Sequence, residues 1–225
     1  HEYTLEKNDR ANTNHGGYSG FHSKIWKGSY EGNKIVFRLS SAHLEGGYPG
    51  NVEVTVSYSF TSDGMVSIDF DGLSDRLTVH NLAPHADFTL SGKGDIIQQR
   101  VTIPSSDILE TNAVFVTSVG ILPVEATEFD FRYGKNIGMD IEKQTQQLEW
   151  NRGYNHCYVF SLSDERKMKW AASVYEPKSR RKLDVFTTYP GVLFYSSGYL
   201  SSQIVGKQGY KYTPACGYCL ETLYF

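Results

Sequence analysis

Residues 51–70, NVEVTVSYSFTSDGMVSIDF, decide the fold class. Val52, Val54, Val56, Tyr58 and Phe60 fall on one side of an extended chain, with Glu53, Thr55, Ser57 and Ser59 on the other. Successive side chains of a strand point to opposite faces, so this alternation is the mark of a half-buried strand. Ser62-Asp63-Gly64 has turn chemistry, and 65–70 alternates again. The whole stretch therefore predicts a β-hairpin.

Working outward, strand-type runs recur at 34–40, 75–82, 87–90, 95–103, 129–132, 156–162, 169–175, 182–188, 193–197 and 218–225. Turn residues separate several of them, as in Glu176-Pro177-Lys178-Ser179 and Tyr189-Pro190-Gly191. Only 141–150, IEKQTQQLEW, reads as a short helix. No repeat, low-complexity tract or linker divides the chain. The expectation is an all-β protein, one antiparallel β-sandwich domain over residues 1–225.

Composition narrows the function. With 22 basic and 25 acidic residues, a net charge of −3 and no basic cluster, the chain lacks the footprint of a nucleic-acid binder. Its apolar runs fall far short of the roughly 20 residues that span a bilayer, so no membrane span is expected. The 16 Tyr and 12 Phe suit strands, and they also suit a groove for polyhydroxylated ligands. Three cysteines cannot pair completely, which points to a reducing, cytoplasmic location. The first residue is His1, so a processed or secreted form stays open.

Common chemical motifs fail. Cys216-Gly217-Tyr218-Cys219 has C-x-x-C spacing without the βαβ context of a redox motif. A zinc site would need a second ligand pair, and Cys157 beside His156 is at no recognised spacing. Neither metal nor cofactor is expected. Three other blocks hold chemistry-bearing residues: Asn12-Thr13-Asn14-His15-Gly16-Gly17, Asn81-Leu82-Ala83-Pro84-His85-Ala86-Asp87-Phe88, and Gly217-Tyr218-Cys219-Leu220-Glu221-Thr222. Each has a bland reading, as a turn, a satisfied histidine or a solvated carboxylate. Buried in its apolar strand, however, Glu221 would have a raised pKa.

The order and surroundings of these blocks resemble the aldose 1-epimerase (galactose mutarotase) family. The resemblance rests on NDRANTNHGGYSGF (8–21), TVHNLAPHADFTLSG (78–92), GILPVEATEFDFR (120–132), GYNHCYVF (153–160), VYEPKSRRKLDVFTTYPGVLFYSSGYL (174–200) and GYCLETLYF (217–225), besides 45–72 around the hairpin. It implies a large antiparallel β-sandwich with a sugar site, Glu221 as general base, His85 as general acid and His15 as a second histidine near the ring oxygen. Asn14, Asn155, His156 and Tyr195 become substrate-binding candidates. Packing competes as a role for His156, and pocket wall for Tyr195 and Phe88. The implied reaction opens a hemiacetal by paired proton transfers and recloses it as the other anomer, which needs a base, an acid and no cofactor.

Departures from the family pattern fall on sugar-holding positions. Asn155 stands where the family has Asp, and Leu193 where it has Gln. Asn155 loses a charge-assisted bond, and Leu193 cannot bond a hydroxyl at all. The family's first and last strands have no counterpart here, so a partner chain covering exposed sheet edges is a further expectation. Two functional readings follow: an aldose 1-epimerase acting on a small sugar, or a catalytically impaired carbohydrate-binding or structural protein on the same fold.

Overall fold

In the computed structural model the structure describes residues 1–117, 120–160 and 167–225. The chain divides into two compact units, His1–Leu82 and Ala83–Phe225.

The first unit is built on the hairpin. Strands β1 (Lys27–Glu31), β2 (Lys34–Ser41), β3 (Val52–Phe60) and β4 (Val66–Ser74) form an antiparallel sheet in that order. Register runs Val54 against Leu39 and Gly72, and Val56 against Phe37 and Phe70. Val52, Val54 and Val56 are buried against Phe21, Trp26, Leu39, Ile68, Phe70 and Leu82. Tyr58 and Phe60 continue the same face but remain exposed, so only the first half of the predicted apolar stripe is covered. β1 carries no apolar alternation, and it joins the sheet through backbone pairing with β2.

The second unit is a sandwich. One of its sheets holds β5 (Arg100–Thr102), β8 (Lys135–Asn136), β10 (Lys169–Tyr175) and β11 (Lys182–Thr187), in the order β11-β10-β5-β8. The other holds β6 (Asp107–Leu109), β7 (Ile121–Pro123), β9 (Asn155–Val159), β12 (Gly191–Tyr195) and β13 (Cys219–Leu223), in the order β13-β12-β9-β6-β7. All recorded pairings are antiparallel. Val101, Ala172 and Val174 of the first sheet pack with Ile108, Tyr158, Val192, Phe194 and Leu220 of the second. Phe131, Tyr154 and Phe194 fill the centre with ring centroids 5.0–5.5 Å apart, an aromatic cluster of large buried area.

Several expected elements are corrected. Residues 75–82 and 129–132 form no strand, although Phe129 and Phe131 are core residues. At 75, the Asp75 N–H still donates to Asn51 O at 3.2 Å, but the Asn51 backbone N–H and side-chain amide turn to the Asp75 carboxylate, at 2.8 Å and 2.6 Å, and β4 ends before this pair. The strand expected over 87–90 shrinks to a single bridge, Phe88 to Tyr218. Of the strand expected over 156–162, residues 161 and 162 lie outside the described residues. The predicted helix shortens to α1 (Gln146–Asn151). Gly153 then turns the chain into β9 at φ +111°, where an added Cβ would lie 2.7 Å from Ser196 Oγ. Among the described residues no helix is long and apolar enough to cross a membrane.

Candidate active site

Registers in the five-stranded sheet fix which side chains share a face. Leu193 on β12 lies opposite Glu221 on β13 and Cys157 on β9, while Tyr195 lies opposite Cys219 and Asn155. Paired and alternate residues share a face. Asn155, Cys157, Leu193, Tyr195, Cys219 and Glu221 therefore share one side, and Tyr158, Val192, Phe194 and Leu220 fill the sandwich core on the other.

The backbone brings a histidine to this outer side. Phe88 N–H donates to Tyr218 O at 2.8 Å and Tyr218 N–H returns to Phe88 O at 3.0 Å. That bridge pins residues 83–90 beside the entry to β13. His85 Nε2 then lies 3.5 Å from Glu221 Oε1, and His85 Nδ1 lies 3.4 Å from Cys219 Sγ. The His85 ring also meets Tyr195 edge-on at 6.2 Å. Beside them Asp87 Oδ1 accepts from Ser197 Oγ at 2.5 Å.

Burial is unequal, and this sets the electrostatics. Glu221 is 6% exposed, whereas the His85 side chain is 42% exposed. Burial pushes the Glu221 carboxyl up to about 7; the His85 imidazole opposes this and the Asp87 charge adds to it. A carboxylate poised near neutrality is suited to general-base work. Burial likewise lifts Cys157 to about 12, with Glu221 adding to it, and raises Cys219 well above its usual range. Both thiols are thus held protonated. Tyr195, raised to about 12 mainly by burial, accepts the Tyr199 N–H on its hydroxyl at 3.0 Å.

The structure does not bring His156 to this face, which corrects its candidacy as a sugar ligand. His156 is 0% exposed and lies on the core side of β9, its ring 4.5 Å from that of Phe129. Its Nδ1 accepts the Asn155 N–H at 3.1 Å, which leaves Nε2 as the protonated nitrogen, 3.2 Å from Gln147 Oε1. Burial lowers its pKa to about 3, so the ring is a neutral member of a network with Thr111, Gln147 and Asn151. His15 and Asn14 lie in the other unit, His1–Leu82, where Asn14 N–H donates to Asn8 Oδ1 at 2.7 Å. His15 has φ 50° and leads into Gly16 and Gly17, both left-handed.

Asp87 and Cys219, which the sequence places in chemistry-bearing blocks without a role, and Ser197, which it does not single out, join His85 and Glu221 here. The signal for Cys219 was its i−2 spacing from Glu221 on a strand, which puts both on one face.

The family model described as Aldose 1-epimerase matches residues 1–225. The chain belongs to the aldose 1-epimerase family. It is 34% identical to the galactose mutarotase of Rattus norvegicus over 223 residues, covering 98% of this chain and 63% of that protein. It is 30% identical to the aldose 1-epimerase of Escherichia coli over 199 residues, covering 88% and 57%. Among solved structures, an aldose epimerase homologue from C. elegans superposes with a TM-score of 0.85 at 21% identity, over 98% of this chain and 66% of that one. The galactose 1-epimerase of Lactobacillus acidophilus gives 0.84 at 22% identity, over 99% and 64%. This epimerase-family chain thus has the all-β antiparallel fold expected of it, and spans less than two thirds of the length of these relatives.

Proposed function

We propose that this chain catalyses the interconversion of the α and β anomers of an aldohexose, with Glu221 as general base and His85 as general acid. One observation carries the reading: a raised-pKa carboxylate and an imidazole stand 3.5 Å apart at the rim of a sheet face. The two sugar oxygens that exchange protons, the anomeric hydroxyl and the ring oxygen, are bonded to the same carbon. An acid and a base this close can each reach one of them.

The step balances without a further reactant. Glu221 carboxylate takes the anomeric hydroxyl proton, the C1 carbonyl forms, and the bond from C1 to the ring oxygen breaks. The ring oxygen takes its proton from the His85 imidazolium. Rotation about the C1–C2 bond followed by the reverse transfers closes the other anomer and resets both groups. Asn155 and Tyr195, on the same face, are the proposed hydroxyl ligands. The roles of His15 and Asn14 rest on the motif NTNHGG at 12–17 alone. The three cysteines are unpaired and buried, which supports a reducing, cytoplasmic setting.

The experiment is polarimetry on freshly dissolved α-D-galactose and α-D-glucose. Catalysed decay of optical rotation supports the proposal. Sugar binding by calorimetry with no acceleration would select the non-catalytic carbohydrate-binding reading instead.

A further inference from the structure

The C-x-x-C spacing carries no metal expectation of its own, but in the structure Cys219 stands with His85 and Glu221. One donor atom from each of His85, Cys219 and Glu221 lies within 4.8 Å of the others. These are an imidazole nitrogen, a sulfur and a carboxylate oxygen, the donor types that Zn²⁺ takes from proteins. In a tetrahedral site with Zn–N near 2.05 Å and Zn–S near 2.3 Å, the N···S edge is about 3.5 Å. The observed separation of His85 Nδ1 from Cys219 Sγ is 3.4 Å.

We propose that His85, Cys219 and Glu221 form a three-ligand site for a thiophilic divalent cation, Zn²⁺ or Cd²⁺, with its fourth position open. On binding, the Cys219 thiol proton leaves to bulk water and the sulfur coordinates as thiolate. Glu221 contributes a carboxylate oxygen and His85 one ring nitrogen. The exposed His85 side provides the entry path. Asp87, held by Ser197, adds negative charge beside the Cys219 sulfur and so favours a cation there. A cation in this position occupies both proton-transfer groups. It therefore acts as a reversible inhibitor rather than a cofactor, and this inhibitory consequence rests on the proposed epimerase activity.

The test is titration of the full chain with Cd²⁺ in metal-free buffer, following the ultraviolet thiolate-to-cadmium charge-transfer band. The parent is expected to saturate at one equivalent, with Zn²⁺ competing for the same site. Cys219→Ser removes the band, while Cys216→Ser retains it. His85→Ala and Glu221→Gln keep a band but weaken affinity at least as much as the roughly 10–100-fold that loss of an outer-shell partner costs. Circular dichroism checks that each variant folds, and cadmium NMR on the parent reports a single-thiolate environment without any substitution. The proposal is overturned by a folded parent that shows no saturable band, by a band that persists in Cys219→Ser, or by an all-oxygen cadmium resonance. A parent that binds Cd²⁺ yet never accelerates mutarotation would sink the catalytic reading and leave this site standing.

Discussion

His156 and Glu221 occupy opposite faces of the same five-stranded sheet. Phe194, paired with His156, points into the core, while Leu193, paired with Glu221, points away from it. One-residue alternation thus separates a neutral, packed imidazole from a carboxylate available for chemistry, and the two titrate in opposite senses.

His156 makes folding stability fall in acid. Its folded pKa of about 3 lies below the ordinary 6.5, so between these values the unfolded chain binds a proton that the folded chain refuses. The contribution is fully present above pH 6.5 and is lost as pH falls towards 3, with a slope of up to about 1.4 kcal/mol per pH unit. Urea unfolding of the parent and His156→Gln from pH 7 to pH 4 checks this. The parent's advantage should shrink steadily, and a constant difference would contradict the assignment.

Glu221 behaves the other way. Its folded pKa of about 7 lies above the ordinary 4.5, so the folded state is favoured while the group is protonated, and this contribution is lost as pH rises through 7. Catalysis needs the Glu221 carboxylate together with a protonated His85, so kcat/KM should follow a bell whose acidic limb, set by Glu221, falls near pH 7. Glu221→Gln is expected to keep or raise Tm at pH 8, each kcal/mol showing as about 2–4 °C in a domain this size. A flat pH–rate profile from 5 to 8 would be the contrary result.

Leu193 puts an apolar side chain between Cys157 and Glu221, where a sugar hydroxyl would find no partner. Leu193→Gln restores a donor and an acceptor there. A net hydrogen bond is worth about 1 kcal/mol, so KM for the aldose should drop roughly five-fold with kcat little changed. A rise in KM would show that this face does not hold the sugar.

Phe194 carries the core argument. It stacks on Tyr154 at 5.3 Å, meets Phe131 at 5.5 Å, and sits one residue from Leu193. Phe194→Ala should cost about 3–5 kcal/mol by guanidinium unfolding, since it deletes a buried ring at the centre of the sandwich. A loss under 1 kcal/mol would mean the ring is not the packing centre.

Sheet-forming stretches with strong alternation or β-branched runs were legible in the sequence: β3, β4, β10 and β11 fall at or within a residue or so of their expected starts. What was not legible depended on partners. β1 and β8 lack an apolar pattern and exist because a neighbour offers backbone groups. Residues 129–132 look like a strand because Phe129 and Phe131 are core residues, yet turns deliver those rings. The catalytic candidates Glu221 and His85 were legible through their motif. His156 was ambiguous, because two adjacent residues on a strand must face opposite ways and composition does not say which faces inward. The donor set His85, Cys219 and Glu221 spans more than 130 residues of sequence, and only the Phe88–Tyr218 bridge reveals it.

The most direct measurement is the initial rate of optical-rotation decay of α-D-galactose with parent, Glu221→Gln and His85→Ala proteins at pH 7.5. The account predicts catalysed decay by the parent and a loss of about 10²–10⁴ in kcat for each variant. Equal rates for parent and both variants would contradict it.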